Sequence, residues 1–477
     1  MSKILISDIE VLLTVDSQNK VLKEQSIVIE DDRISAIGSA NKIAQQYRDQ
    51  NFDKTISGKH RLAMPGMVDA HLHLSEQLGR GLFPDQLSTR PWVFNWAKPL
   101  YAAVDPEAEH IGTLLAGIEM IKTGTTCCLD MGTQNDVGKS VKSIKEAGFR
   151  CVTGRHAADV IPAQLPPHWT QKMIDHHFFP NYQVALEELG RCVREHNNSA
   201  DGRVRVWVNI EGKEPCSPEL HAGSRALAEE LGVGTTYHIA SSIEEAQVCK
   251  EKYGVWPVGR LKEIDALGPN LVLAHVVAIQ DEEIGYLANA ETKVVFCPGT
   301  SLKIAKGATK IGQYPEMINA GVTLALGCDG PAAAGSLNQM QQMYLMAGLF
   351  KDCRMDPFQI PAELALRLVT IEGAKALLWD NDIGSIEVGK KADIVLFNLN
   401  TPDWVPYQNP IQTLVYSATP GSVDTVLIDG KLLMENRKIL HLDEQEIYKA
   451  AREQADRVIE RSGLQPGTTP IHTEAYD

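Results

Sequence analysis

The chain has 477 residues, more than the roughly 100–200 of an ordinary single domain and enough for one large barrel with a smaller unit beside it. Hydrophobic residues make up 44% and charged residues 22%, a composition that buries a large core and excludes dominant disorder. The net charge of -15 excludes a phosphate-tracking surface, so no nucleic acid and no anionic membrane is expected as a partner, and a small-molecule substrate is.

Residues 3–62 alternate short β-rich runs (ILIS, EVLLTV, SIVIE, RISAIG) with turn signals such as Asp31-Asp32, so 1–63 is expected to form the first part of a small β-sandwich. Asp8 and Glu10 interrupt the stretch where a signal core would lie, and no apolar run reaches the ~18 residues of a membrane span, which points to a cytoplasmic location. From 64 to 383, strand-like apolar runs alternate with amphipathic helical stretches, the pattern of successive βα units on a parallel sheet. Candidate strands end near residues 73, 130, 157, 212, 240, 276, 300 and 330, which suits an α/β (β/α)8 TIM barrel. Residues 384–442 return to glycine-punctuated β-branched runs, the expected second part of the sandwich. Residues 443–477 read as a C-terminal helix and tail, with charges spaced i to i+4, set to cap the sandwich or to reach a neighbouring copy. The nine cysteines show no C-x-x-C spacing, so neither a disulfide framework nor a thiolate zinc knuckle is indicated.

In a TIM barrel the active site lies at the C-terminal ends of the strands. The first candidate strand, PGMVDAHLHL, ends in His71 and His73, which at a spacing of two project to the same face. Glu211 ends the fourth strand, His238 the fifth, His275 the sixth and Asp329 the eighth. One such residue alone is most simply a core histidine or a turn former; four histidines and an aspartate, all at strand ends, point to a metal site. Imidazole nitrogen and carboxylate oxygen suit zinc, with iron, manganese or cobalt as alternatives, and such an ion brings the pKa of a water toward roughly 7.

The chain then resembles the amidohydrolase superfamily, in its cytosine deaminase-like, triazine hydrolase (chlorohydrolase) and S-adenosylhomocysteine deaminase branch. The resemblance rests on an ordered series: PGMVDAHLHL, LGRGL, IKTGTTC, CSPEL, HIA, LAH, CPGTSLKIAKG, LGCDG with SLNQM, and ADIVLFNL. It implies His71, His73, His238 and Asp329 as ligands of one divalent metal, His275 as the residue that orients substrate or carries a proton, and Asp329 as an aid in deprotonating water. It also implies a homo-oligomer.

Deaminases of this branch carry a glutamate proton shuttle three residues after the strand-five histidine, where this chain has Ser241, a poor acid or base at neutral pH. Glu76 and Glu211 are the candidate replacements as catalytic carboxylates, whereas Glu244 and Glu245 read as solvated acids of a helix first turn. Glu211 has a second reading, as the bridge of a two-metal site with His275 on the second ion, and Lys213 is an alternative, carboxylated bridge. Trp92 and Trp96, with Phe83 and Phe94, either line a flat apolar pocket or pack their loop onto the barrel; Ser241 and Ser301 complete the pocket expectation. The expected function is metal-dependent displacement of an amino, halide or thiol group from a small heterocycle. Hydrolysis of a carbamate, thiocarbamate or urea-type bond is the enzyme alternative, and an inactive binding barrel the alternative of another class.

Overall fold

A computed structural model describes residues 2–212 and 214–466. Eight parallel strands form the barrel: β6 (Met67–Leu72), β7 (Thr125–Asp130), β8 (Arg150–Gly154), β9 (Val204–Gly212), β10 (Thr235–Ile239), β11 (Leu271–His275), β12 (Lys293–Phe296) and β13 (Leu324–Leu326). They pair in chain order, and a parallel bridge between Leu72 and Asp329 links the last strand end to the first. Strands such as TTCCLD are buried along their whole length because helices cover one face and the barrel interior the other, which is why they read as continuous apolar runs. Gly66, just before β6, has no room for a side chain: a Cβ there would overlap Thr126.

The chain ends build the second unit. β1 (Lys3–Leu13), β2 (Val21–Glu30), β3 (Arg33–Ser39), β4 (Lys54–Ser57) and β5 (Arg61–Pro65) join β14 (Ile394–Asn398), β15 (Val423–Ile428), β16 (Lys431–Glu435) and β17 (Lys438–Ile439) in one sheet of nine strands. The two halves meet where β5 runs antiparallel to β14, from Ile394 opposite Pro65 to Asn398 opposite Arg61. Hydrogen bonding is therefore continuous across the unit, and residues from both ends, among them Ile6, Ile27, Ile394 and Leu427, share one buried apolar cluster.

Six helices matter for the site. A 3-10 turn (Leu74–Gly79) follows β6, and a π-helical turn (Trp92–Ala97) leads into α1 (Lys98–Ala103). α2 (Pro106–Thr123) starts at Asp105, whose carboxylate accepts from the Ala108 amide, and stops at Gly124 in the left-handed region, φ 82°. α3 (Pro218–Leu231), α4 (Ile243–Tyr253) and α5 (Pro257–Glu263) surround β9 to β11. The C-terminal helix α6 (Glu444–Ser462) packs on α1 and α2, not on the terminal sheet alone: Ala451 and Val458 join the apolar cluster around Leu78 and Leu100, and Arg461 pairs with Asp105. No helix among the described residues is long and apolar enough to cross a membrane.

Candidate active site

Alternation along each strand sends every second side chain inward, and the strand ends deliver the polar ones to a common centre. His71 and His73 from β6, His238 from β10, His275 from β11 and Asp329 after β13 meet there, all buried. Nε2 of His73 lies 3.2 Å from Nε2 of His238. Asp329 Oδ1 is 3.6 Å from His71 Nε2 and 3.4 Å from His73 Nε2, and its Oδ2 is 3.8 Å from His275 Nε2. His71, His238 and His275 offer ring nitrogens within 4.8 Å of one another.

The donor set fits a divalent cation. His238 Nδ1 lies 3.0 Å from the Glu211 carbonyl, which can only accept, so Nδ1 carries the proton and Nε2 presents a lone pair toward His73. That lone pair can take either a proton from His73 Nε2 or a cation between the two rings. His71 Nδ1 and His73 Nδ1 are buried without a hydrogen-bond partner, the usual condition of groups awaiting one. Burial, with the neighbouring His71 and His156, lowers His73 to about 3 against the raising effect of Asp329, so its ring is neutral, as a metal ligand must be. Burial pushes the Asp329 carboxyl up, but the imidazoles of His71, His275 and His73 around it outweigh that and hold Asp329 well below the usual range. His275 and Asp329 have φ of 78° and 61°, strained values for non-glycine residues that concentrate at functional sites.

Glu76 and Glu211, equivalent candidates in the sequence, have opposite surroundings. Glu76, in the 3-10 turn after β6, has a carboxylate oxygen within 4.8 Å of ligand atoms on both His73 and Asp329. Tyr101 of α1 donates a short hydrogen bond to it, and it lies so close over Gly330 that a Cβ there would overlap Oε2. Burial and the nearby Asp329 charge raise Glu76 to about 8, against the lowering effects of Tyr101 and Lys303. Glu211 instead accepts from Lys98 Nζ at 3.0 Å, and His156 Nε2 lies 2.8 Å away. Burial would raise its carboxyl, but Lys98 and His156 override that and hold it well below the usual range, ionised at neutral pH.

Lys98 and His156 are the site residues that sequence reasoning missed. The rule that picks His71 or His275, a polar residue at the end of a candidate strand, applies equally to His156 in FRCVTGRHA. Lys98 had a weaker signal, one cation in the largely apolar run WVFNWAKPLYA; it is 1% exposed. The expected pocket residues are scattered. Trp92 is buried with its ring edge-on to Phe83, and Trp96 tilts against the same ring, so both pack the loop onto the barrel. Ser241 is fully buried and Ser301 is bonded within its own turn. Glu245 is not a solvated acid: its carboxylate accepts from the Ala240 and Ser241 amides at 2.7 and 2.9 Å and fastens the end of β10, whereas Glu244 is exposed. Lys213 lies outside the described residues.

A cavity of about 390 Å³ opens beside the centre, between β9, β10 and α3 to α5, and Glu211 lines it. The residues from 62 to 433 match the profile of the Amidohydrolase family. The chain belongs to the amidohydrolase family. A 5-methylthioadenosine/S-adenosylhomocysteine deaminase of Thermoanaerobacter pseudethanolicus is 33% identical over 450 residues, 94% of this chain and 98% of that protein. A 5'-deoxyadenosine deaminase of Methanobrevibacter smithii is 33% identical over 461 residues, 96% and 99% of the two chains. Among solved structures, a zinc-bound adenosine deaminase from Xanthomonas campestris superposes with a TM-score of 0.84 at 26% identity, covering 96% of this chain and 99% of that one. The zinc complex of atrazine chlorohydrolase from Arthrobacter aurescens shares the fold, with a TM-score of 0.82 at 21% identity over 95% and 100% of the chains. This amidohydrolase is a metal-dependent hydrolase acting on non-peptide C–N bonds.

Proposed function

We propose that this amidohydrolase removes an exocyclic amino group from a small heteroaromatic ring, using one zinc ion held by His71, His73, His238 and Asp329. The observation that carries the reading is the convergence of these donors with a protonatable carboxyl, Glu76, within 4.8 Å of His73 and Asp329 atoms. When bound, the metal supplies an acidified water and a Lewis acid. Asp329, ionised and beside the histidines, accepts a proton from the attacking water. Glu76, steadied by Tyr101, takes the place of the glutamate missing at Ser241 and delivers a proton to the departing amine. His275, whose Nε2 lies 3.8 Å from Asp329 Oδ2, orients the ring atom that gains charge. The curated relatives are named as deaminases of adenine nucleosides, which supports an amino leaving group.

A single ion is favoured over a bridged pair by Lys98. In the two-metal reading Glu211 would carry the second ion, but the buried Lys98 ammonium already neutralises that carboxylate at 3.0 Å. Adding a dication there would place two like charges on one acid. Halide displacement is the second reading, favoured by Ser241: a halide leaves as an anion without the proton that an amine needs.

The test is ammonia release from 5'-methylthioadenosine, S-adenosylhomocysteine and aminotriazines by zinc-loaded protein, with chloride release from chlorotriazines run in parallel. The reading expects ammonia, lost in His275→Ala and retained in Ser241→Ala. Chloride alone would give the second reading, and neither product from any ring would end both.

A further inference from the structure

Strand β9 is irregular just before its end. Thr236 of β10 pairs with Asn209 and His238 with Gly212, so β9 carries one residue more than β10 over this stretch, a bulge of the kind that re-aims groups beside active sites. Gly212 closes the bulge in the left-handed region, φ 79°, so near β10 that a Cβ there would come within 2.2 Å of the His238 carbonyl oxygen. Inside it the Glu211 carbonyl faces His238 Nδ1 at 3.0 Å, and the Glu211 amide donates to the Ala157 carbonyl at 2.7 Å. The side chain is held as firmly: Lys98 Nζ donates to Oε2 at 3.0 Å, and His156 Nε2 lies 2.8 Å from the same oxygen. Lys98 is placed in turn by His177, whose Nε2 donates to the Lys98 carbonyl at 2.8 Å, and its ammonium stands 5.7 Å from the centre of the Phe178 ring.

We propose that the buried cluster of Lys98, Glu211 and His156 is a clamp on a metal ligand: by fixing the Glu211 peptide it holds the His238 ring with Nδ1 protonated and Nε2 turned to the site. The three are positioning residues that act through His238. The inference rests on the reading of His238 as a ligand of the proposed zinc ion. A histidine ligates through one nitrogen while the other keeps its proton, and a fixed acceptor for that proton sets both the tautomer and the rotation of the ring. The ion pair makes this support hard to move, because parting Glu211 from Lys98 would leave an unpaired buried charge.

Zinc affinity of the full chain is measured by competition with a chromophoric chelator, and the visible spectrum of the cobalt(II)-loaded protein reads the geometry of the ligands. In Lys98→Met the affinity should fall about tenfold to a hundredfold, the usual cost of losing a group that orients a ligating histidine, and the cobalt bands should shift. Electrostatics alone predicts the opposite direction, since removing a cation beside a buried anion would tighten zinc binding. His156→Leu should weaken binding in the same way to a smaller degree, and one folded variant of the two suffices. Gly212→Ala, which pushes β9 away from His238 without altering any charge, should reproduce the loss. Arg150→Met, at the opposite end of the barrel, sets the comparison: stability falls while zinc affinity per folded molecule stays. A cluster that only stabilises the fold would make the Lys98 and His156 variants behave like Arg150→Met, and unchanged affinity and spectrum in whichever of them folds overturns the clamp. Tighter binding or a second zinc equivalent in Lys98→Met overturns it too, by making Glu211 a ligand in its own right. Wild-type protein that binds no zinc ends the metal reading and the clamp with it, whereas wild type with one zinc and unaffected variants ends the clamp alone.

Discussion

Two buried ion clusters mark the two ends of strand β8, and they are built to different standards. At its start, Arg150 donates from Nε to Asp393 at 2.9 Å and from Nη2 to Asp393 and Asp429 at 3.0 Å each, while Lys391 stands 3.3 Å from Asp429. The guanidinium also stacks over Trp379 at 5.1 Å, and this cluster locks the barrel floor to the terminal sheet. Two residues past the end of the strand, His156 meets Glu211 and Lys98, and there the accounts stay open: the Nδ1 atoms of His71 and His73 have no hydrogen-bond partner among the described residues. An ion cluster whose carboxylates are paired with guanidinium and ammonium holds a fold together; one with several spare imidazole nitrogens is held ready for something that comes and goes. The barrel assigns these roles by end, stability at the N-terminal face and chemistry at the C-terminal face.

The comparison breaks most visibly at the metal. Asp329→Asn or His71→Ala should cut turnover by at least about a thousandfold, the scale of losing charge stabilisation in a closed site. Metal analysis should show the ion lost, and thermal melting should show the fold kept; a collapsed fold would make the upper cluster as structural as the lower one. Arg150→Met should do the opposite, destabilising the protein by about 3–5 kcal/mol in denaturant titration, as when one partner of a buried pair is removed. Turnover per folded molecule should be unchanged, and a loss of activity without a loss of stability would contradict the assignment.

Glu76→Gln sharpens the contrast within the upper end. The amide keeps the shape but cannot cycle a proton, so kcat for amine release should fall about a hundredfold or more with metal content intact. Chloride release, which needs no such proton, should fall much less. In the lower cluster, burial raises the Asp429 carboxyl but Arg150 and Lys391 outweigh it and lower it. A depressed acid contributes stability above its unfolded pKa of about 4, and that contribution disappears as pH falls through the lower folded value. Circular dichroism should therefore show stability falling on acidification below about pH 4, and Asp429→Asn should flatten that slope. The smallest effect belongs to Ser241→Ala: a hydroxyl too weak as an acid or base to transfer the proton should change kcat by less than about threefold.

Much of the centre was legible because its chemistry is local in the chain. His71 and His73 share a face through a spacing of two, and His238, His275 and Asp329 each end a run whose apolar character marks a buried parallel strand. Trp92 and Trp96 show the limit. An aromatic cluster in a loop after the first strand suits a pocket wall or a packed loop equally well, and the structure packs both rings against Phe83. Glu245 shows it again: a first-turn acid is usually solvated, but this one reaches back to two amides at the end of β10, a contact set by how the loop closes.

The sequence by itself determined the eight strands, the terminal β unit and the polar residues that end the strands, because hydrophobic period and turn chemistry act over a few residues. Only the tertiary structure decided what each acid does. Glu76 and Glu211 are both buried carboxyls beside one centre, yet Glu211 acquires an ammonium from Lys98, 113 positions away in the chain, and Glu76 acquires the phenol of Tyr101 and the repulsion of Asp329. A carboxyl buried with a cation stays ionised and one buried beside an anion holds its proton, so their roles were fixed by partners that strand periodicity does not specify.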